Sequence, residues 1–95
     1  MDPDLPDLTI ADVVVSTAGR DAGKLFYVLE ADDVWLTLVN GKDRTIEKPK
    51  RKKRKHTNMV LRAETRVAEK LRNGDKVLNS ELRRDLAYFS NGKSK

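Results

Sequence analysis

The stretch Val13–Gly41, VVVSTAGRDAGKLFYVLEADDVWLTLVNG, decides the fold of this chain. Its apolar runs are rich in branched and aromatic residues and are separated by short polar turns, a pattern of strands rather than of a helix. Asp12–Thr17 reads as a first strand. AGRDAG turns the chain, Lys24–Glu30 brings it back, and Ala31-Asp32 turns it again into a third strand at Asp33–Val39. Asn40-Gly41 is a hairpin signal, because both residues tolerate the positive φ of a type I′ turn, and it predicts a fourth strand near Asp43–Glu47. Strands this closely spaced leave no room for helical crossovers, so the expected sheet is an antiparallel meander or barrel.

The alternation of residue types points the same way. Phe26 and Val28 fall on one face of the second strand, with Leu25, Tyr27 and Leu29 on the other; in the third, Val34, Leu36 and Leu38 oppose Trp35, Thr37 and Val39. Both faces are partly apolar, as expected if one fills a barrel and the other is covered by a further element. The C-terminal half supplies that cover. In Arg62–Gly74, Ala63, Val67, Ala68 and Leu71 make one helical stripe that ends at Asn73-Gly74, a good C-cap. A second helix is predicted from Ser80 as N-cap, with Leu82, Leu86 and Phe89 spaced for burial. Four strands leave an edge unpaired, and Thr57–Leu61 is the apolar segment available to close it. The expected organisation is therefore mainly β: an acidic tail over 1–10, a barrel over 11–61 with a basic loop at 48–56, a helical extension over 62–90, and a disordered tail over 91–95.

Ninety-five residues allow one small domain, too small for a large catalytic cleft. There is no cysteine and only one histidine, which removes disulfide scaffolds, thiolate metal sites and histidine clusters; neither a metal nor any other cofactor is expected. No apolar run approaches the ~20 residues of a membrane span, and the acidic, proline-containing start is unlike a secretory signal, so a cytoplasmic protein is expected. The net charge of +5 hides a division. Residues 1–47 carry four Lys/Arg against ten Asp/Glu, whereas residues 48–95 carry sixteen against five. One half of the chain is thus suited to a polyanion.

Two motifs bear on which polyanion. STAGRDAGKLF (16–26) looks at first like a nucleotide-binding P-loop, but three residues rather than four separate Gly19 from Gly23, Leu25 stands where a hydroxyl should bind Mg²⁺, and a strand rather than a helix follows. KPKRKKRKH (48–56) holds seven Lys/Arg in the eight positions 48–55. Charge this dense is poorly suited to self-contained structure and well suited to a phosphate backbone. A solvated loop, a nuclear import signal and an anionic membrane surface are the competing readings, the last without an amphipathic helix or lipidation motif to support it.

Joined by the hairpin, these motifs resemble those of the KOW-motif RNA-binding proteins related to a large-subunit ribosomal protein. Ser16, Ala18, Gly19, Arg20, Asp21 and Gly23 match the glycine turn, Asn40-Gly41 the hairpin, and Pro49, Lys50, Arg51, Lys52, Lys55 and His56 the basic segment. The resemblance spans Val13 to His56. It implies an SH3-like barrel that binds RNA, as part of or near the large ribosomal subunit, without catalysis and without a small-molecule substrate. Arg20 and Lys24 flank the turn and are expected at phosphates, with Asp21 bracing Arg20 or the turn; Gly19 and Gly23 either let the backbone approach RNA or serve turn geometry alone. Lys48, Lys50, Arg51, Lys52, Lys53, Arg54, Lys55 and His56 complete the expected RNA surface. Trp35, the sole tryptophan, is expected in the core, with base stacking as its alternative, and Tyr27 is divided between the same two roles. A second function fits the same residues: an adaptor of SH3-like fold that docks on a polypeptide and uses the basic run as a localisation signal.

Overall fold

The computed structural model describes residues 8–91. Five strands, β1 (Asp12–Ser16), β2 (Leu25–Ala31), β3 (Trp35–Val39), β4 (Lys50–Lys53) and β5 (Thr57–Arg62), precede two helices, α1 (Arg66–Asn73) and α2 (Asn79–Ser90). Short 3₁₀ turns lie at Gly19–Asp21 and Arg54–His56. All ladders are antiparallel and the strand order is β4-β3-β2-β1-β5. The two outer strands, β4 and β5, share no ladder, so hydrogen bonds do not close the sheet on itself. That sheet is nonetheless strongly curled. A flat sheet would hold its two outer strands, β4 and β5, about 19 Å apart at the usual ~4.8 Å spacing. The 3₁₀ turn joining β4 to β5 advances only ~2 Å per residue, so it cannot cross such a gap.

Each face of the sheet has its own apolar cluster. Val14, Phe26, Val28, Leu36 and Leu38 pack with Leu8 and the half-buried Met59 on one face. Val13, Tyr27 and Val39 lie on the other, under Val67, Ala68 and Leu71 of α1 and Leu82, Leu86 and Phe89 of α2. The alternation read in β2 and the two helical stripes are all observed, as is pairing of β5 with β1. Leu8 is buried, so structure begins before the expected end of the acidic tail at residue 10. Residues 1–7 and 92–95, which hold the rest of the two expected tails, lie outside the described residues.

The fourth strand is not where the hairpin signal put it. Asn40 does not adopt the positive φ that a type I′ turn needs; only Gly41 does, at φ 77°. The Asn40 side chain instead accepts the N–H groups of Lys42 and Arg44, both at 3.0 Å, and closes a wider turn. The following loop docks on α2: Ile46 N–H donates to Asn79 Oδ1 at 2.9 Å, Asn79 donates to Glu47 at 2.8 Å, and Arg83 donates to the Gly41 carbonyl at 2.6 Å. Pairing with β3 therefore falls to Lys50–Lys53, and the basic run forms a strand where a loop was expected. A β-strand tolerates this charge density because successive side chains leave on opposite faces.

Helix boundaries also shift. Arg62 ends β5, with Asp12 and Arg62 paired at 3.0 Å, and α1 starts only after Thr65, whose hydroxyl accepts the Ala68 N–H at 3.1 Å as a true N-cap. Leu78 rather than Ser80 occupies the N-cap position of α2, where Glu81 reaches back to the Leu78 N–H at 3.0 Å. Tyr27 belongs to the core: fully buried, its hydroxyl donates to Asp85 at 2.7 Å and sits 3.1 Å from the Thr65 hydroxyl, which also donates to Asp85 at 2.7 Å. These three residues pin the sheet to both helices. Burial pushes the Tyr27 hydroxyl well above the usual phenol range.

Candidate nucleic-acid interface

The glycine turn between β1 and β2 is held by its own backbone. Gly19 and Gly23 take φ of 75° and 88°, conformations that disfavour a side chain. Gly23 N–H donates to Ser16 O at 2.8 Å, and Lys24 N–H to Asp21 O at 2.9 Å. Asp21, expected to brace Arg20 or the turn, is buried and faces Arg44 at 3.4 Å and Lys24 at 3.8 Å. Lys24 is held more closely by Asp43, at 2.7 Å. Hydrogen bonds from Lys24 and Asn40 hold the Asp43 carboxyl down at about 2, and its contact with Asp43 raises the Lys24 amine above its ordinary value. Lys24 thus ties the turn to the loop after β3 instead of standing free for phosphate.

The second motif meets the first in space. The Lys52 ammonium donates to Ala18 O at 2.8 Å, and Thr17 N–H donates to His56 O at 2.8 Å. Lys52 lies opposite Leu36, on the inner face of β4, so its stem covers the apolar cluster while its amine reaches the turn. Arg54 is also occupied, donating to Asp32 O at 2.6 Å and Leu8 O at 3.1 Å. Lys24, Lys52 and Arg54 therefore hold the fold together. Among the described residues, the side chains of Arg20, Lys48, Lys50 and Lys55 enter no hydrogen bond or ion pair, and His56 contributes its backbone carbonyl.

Trp35 corrects the core expectation. It stands outside both apolar clusters and is half-buried, with Arg51 4.9 Å and Lys53 5.6 Å from its ring centre. Its face is the one that carries Val39, which the helices cover, but Trp35 and Thr37 lie beyond that cover. Register places Lys53 directly opposite Trp35 and Arg51 opposite Thr37. Arg51 also faces Asp32 at 3.8 Å. Asp32 itself accepts the N–H groups of Trp35 at 2.7 Å and Val34 at 2.9 Å, which start β3 and hold the carboxyl below its usual range.

Sequence reasoning took Asn40 only as turn backbone and missed Arg44 and Asn79; the side chains of all three fix the loop after β3, and asparagines at turn and helix starts were the available signal. Among the described residues, no group of three His, Cys, Asp or Glu could hold a metal ion, and no helix is long and apolar enough to cross a membrane. Compared with models of known protein families and with the sequences of characterised proteins, the chain gives no match.

Proposed function

We propose that this chain is a non-catalytic RNA-binding module that holds structured RNA mainly through phosphates. One observation carries the reading: the glycine turn and the basic run, separated by a hairpin in sequence, adjoin through the Lys52–Ala18 and Thr17–His56 hydrogen bonds. Arg20 on the turn and Lys50 and Lys55 on the run then belong to one basic region, with side chains not committed to the fold. An adaptor whose basic run served only as an address would have no need of that junction. The finer reading of the sheet as an SH3-like barrel draws support from the strand order and from the 3₁₀ turn that brings the two edge strands together. By the resemblance in its motifs, the RNA is ribosomal, in or near the large subunit, and the protein is cytoplasmic and ribosome-associated.

Salt dependence tests this. Each phosphate contact contributes about 0.9 to the slope of log K against log salt on a duplex. Replacing Arg20, Lys50 and Lys55 together with alanine is expected to flatten that slope by about two to three, with little change in stability because these side chains hold nothing in place. Fluorescence anisotropy with a labelled structured RNA measures both slopes. A triple variant with the wild-type slope, or a folded wild-type protein that binds no RNA at low salt, would defeat the proposal.

A further inference from the structure

We propose that the outer face of β3 and β4 is a stacking platform for an unpaired nucleobase, with Trp35 as its floor and Arg51 and Lys53 as the cations that take the flanking phosphates. This rests on the RNA-binding reading and names the part of the RNA recognised here: a single-stranded or bulged nucleotide rather than a duplex.

The ring lies where no apolar packing explains it. Trp35 is the only tryptophan in the chain, and it sits on sheet surface beyond the reach of the helices. Beside it runs a groove of about 660 Å³ lined by Leu8, Ile10, Glu30, Asp32, Thr37 and Arg51, within the usual size of a small-ligand site. Glu30 pairs across the strands with Thr37, which pairs with Arg51, so the three form one row. The groove is therefore polarised. Its Arg51 end suits phosphate once the guanidinium leaves Asp32, and the Glu30 carboxylate at the other end is an acceptor for the amino group of a base.

In the free protein Arg51 covers the ring. Its tether is a single 3.8 Å approach to Asp32, with both side chains more than half exposed at 62% and 63%. Exposed pairs of that kind hold weakly, so a base can displace the guanidinium, which then turns to a phosphate. Stacking on an aromatic side chain is open to any base, but in a duplex the base faces are already stacked on one another. The cations alone would serve a duplex equally well; a ring on the sheet surface, covered only by a displaceable guanidinium, is what favours the single strand.

The test uses the full chain and two oligomers of equal length and charge, oligoadenylate and its abasic counterpart. Because Trp35 is the sole tryptophan, its emission reports this site alone. Oligoadenylate is expected to quench that emission and the abasic oligomer to leave it little changed. Trp35→Leu is expected to weaken oligoadenylate binding roughly 5- to 150-fold, the span that one stacked base contributes, with abasic binding unchanged and with Trp35→Phe retaining most of the affinity. If both oligomers bind with equal affinity and equal effect on emission, or a duplex of the same length binds more tightly than oligoadenylate, the platform is refuted and the RNA-binding reading survives. If neither oligomer nor duplex binds at low salt, both fail. Should Trp35→Leu not fold, the emission comparison on the wild-type protein decides alone.

Discussion

Gly41 and Gly23 share a backbone conformation but not an environment, and replacing each with alanine separates the two costs. Both have positive φ, 77° and 88°, and an alanine there carries about 1–2 kcal/mol of backbone strain. A Cβ on Gly23 would meet nothing within 4 Å. A Cβ on Gly41 would overlap the Asn79 carbonyl oxygen and stand 3.0 Å from Leu82 Cβ. Backbone at a helix start cannot yield as a flexible side chain does, so α2 and the loop after β3 must separate. That separation strains the bonds from Arg83 to Gly41, from Ile46 to Asn79 and from Asn79 to Glu47, each worth about 1 kcal/mol net. Gly41→Ala is therefore expected to cost about 3–5 kcal/mol and Gly23→Ala about 1–2 kcal/mol. A domain of this size has only about 5–14 kcal/mol of stability in all. At roughly 4–8 °C per kcal/mol, the melting temperature of Gly41→Ala should fall at least about 12 °C, and clearly further than that of Gly23→Ala. Urea and thermal unfolding followed by far-UV dichroism measure both. Equal losses would mean that the loop does not lie against α2, and the account of why β4 starts at Lys50 would fall with it.

Three further outcomes are expected. Tyr27→Phe should cost about 1 kcal/mol and Thr65→Ala about 1–2 kcal/mol, since the latter also uncaps α1. In a double-mutant cycle read by urea midpoints, the two should couple by at least about 0.5 kcal/mol, because both hydroxyls serve Asp85; simple additivity would contradict the shared network. Asp43 titrates near 2 when folded against an ordinary 3.8, so its contribution is full above about pH 4 to 5 and is lost as pH falls toward 2. Being an exposed pair with Lys24, it is worth less than about 1 kcal/mol, and the stability difference between wild type and Asp43→Asn should shrink over that window; a constant difference from pH 5 to 2 would refute the pairing.

Much of the fold is legible in the sequence because burial here follows simple periods. Phe26 and Val28 against Tyr27, and Leu36 and Leu38 against Val39, sort correctly onto the two clusters, and Val67, Leu71, Leu82, Leu86 and Phe89 show which helical stripes cover the sheet. The fourth strand is not legible, since Asn40-Gly41 signals a turn without revealing whether Asn40 supplies its backbone or its side chain to close it. A run of cations hides strand pairing because periodicity arguments read apolar residues, and β4 has none. For the same reason sequence could not sort its side chains. Lys52 and Arg54 look like Lys50 and Lys55 on paper, yet Ala18 O, Asp32 O and Leu8 O claim the first two. Trp35 was misplaced because its face is apolar at Val39 and uncovered two residues earlier, a boundary set by the lengths and docking of the helices.

β4 also faces a hazard common to every open sheet. Its outer rim enters no ladder, and such a rim is a template on which another chain can add. Lys50, Arg51 and Lys53 make that rim repel its own kind, so cations that suit a polyanion also keep copies of the protein apart at high concentration. The two roles compete when the polyanion is scarce. If the rim takes RNA as proposed, RNA in deficit cancels the repulsion without covering every rim, so turbidity should peak near charge balance and clear again when RNA is in excess.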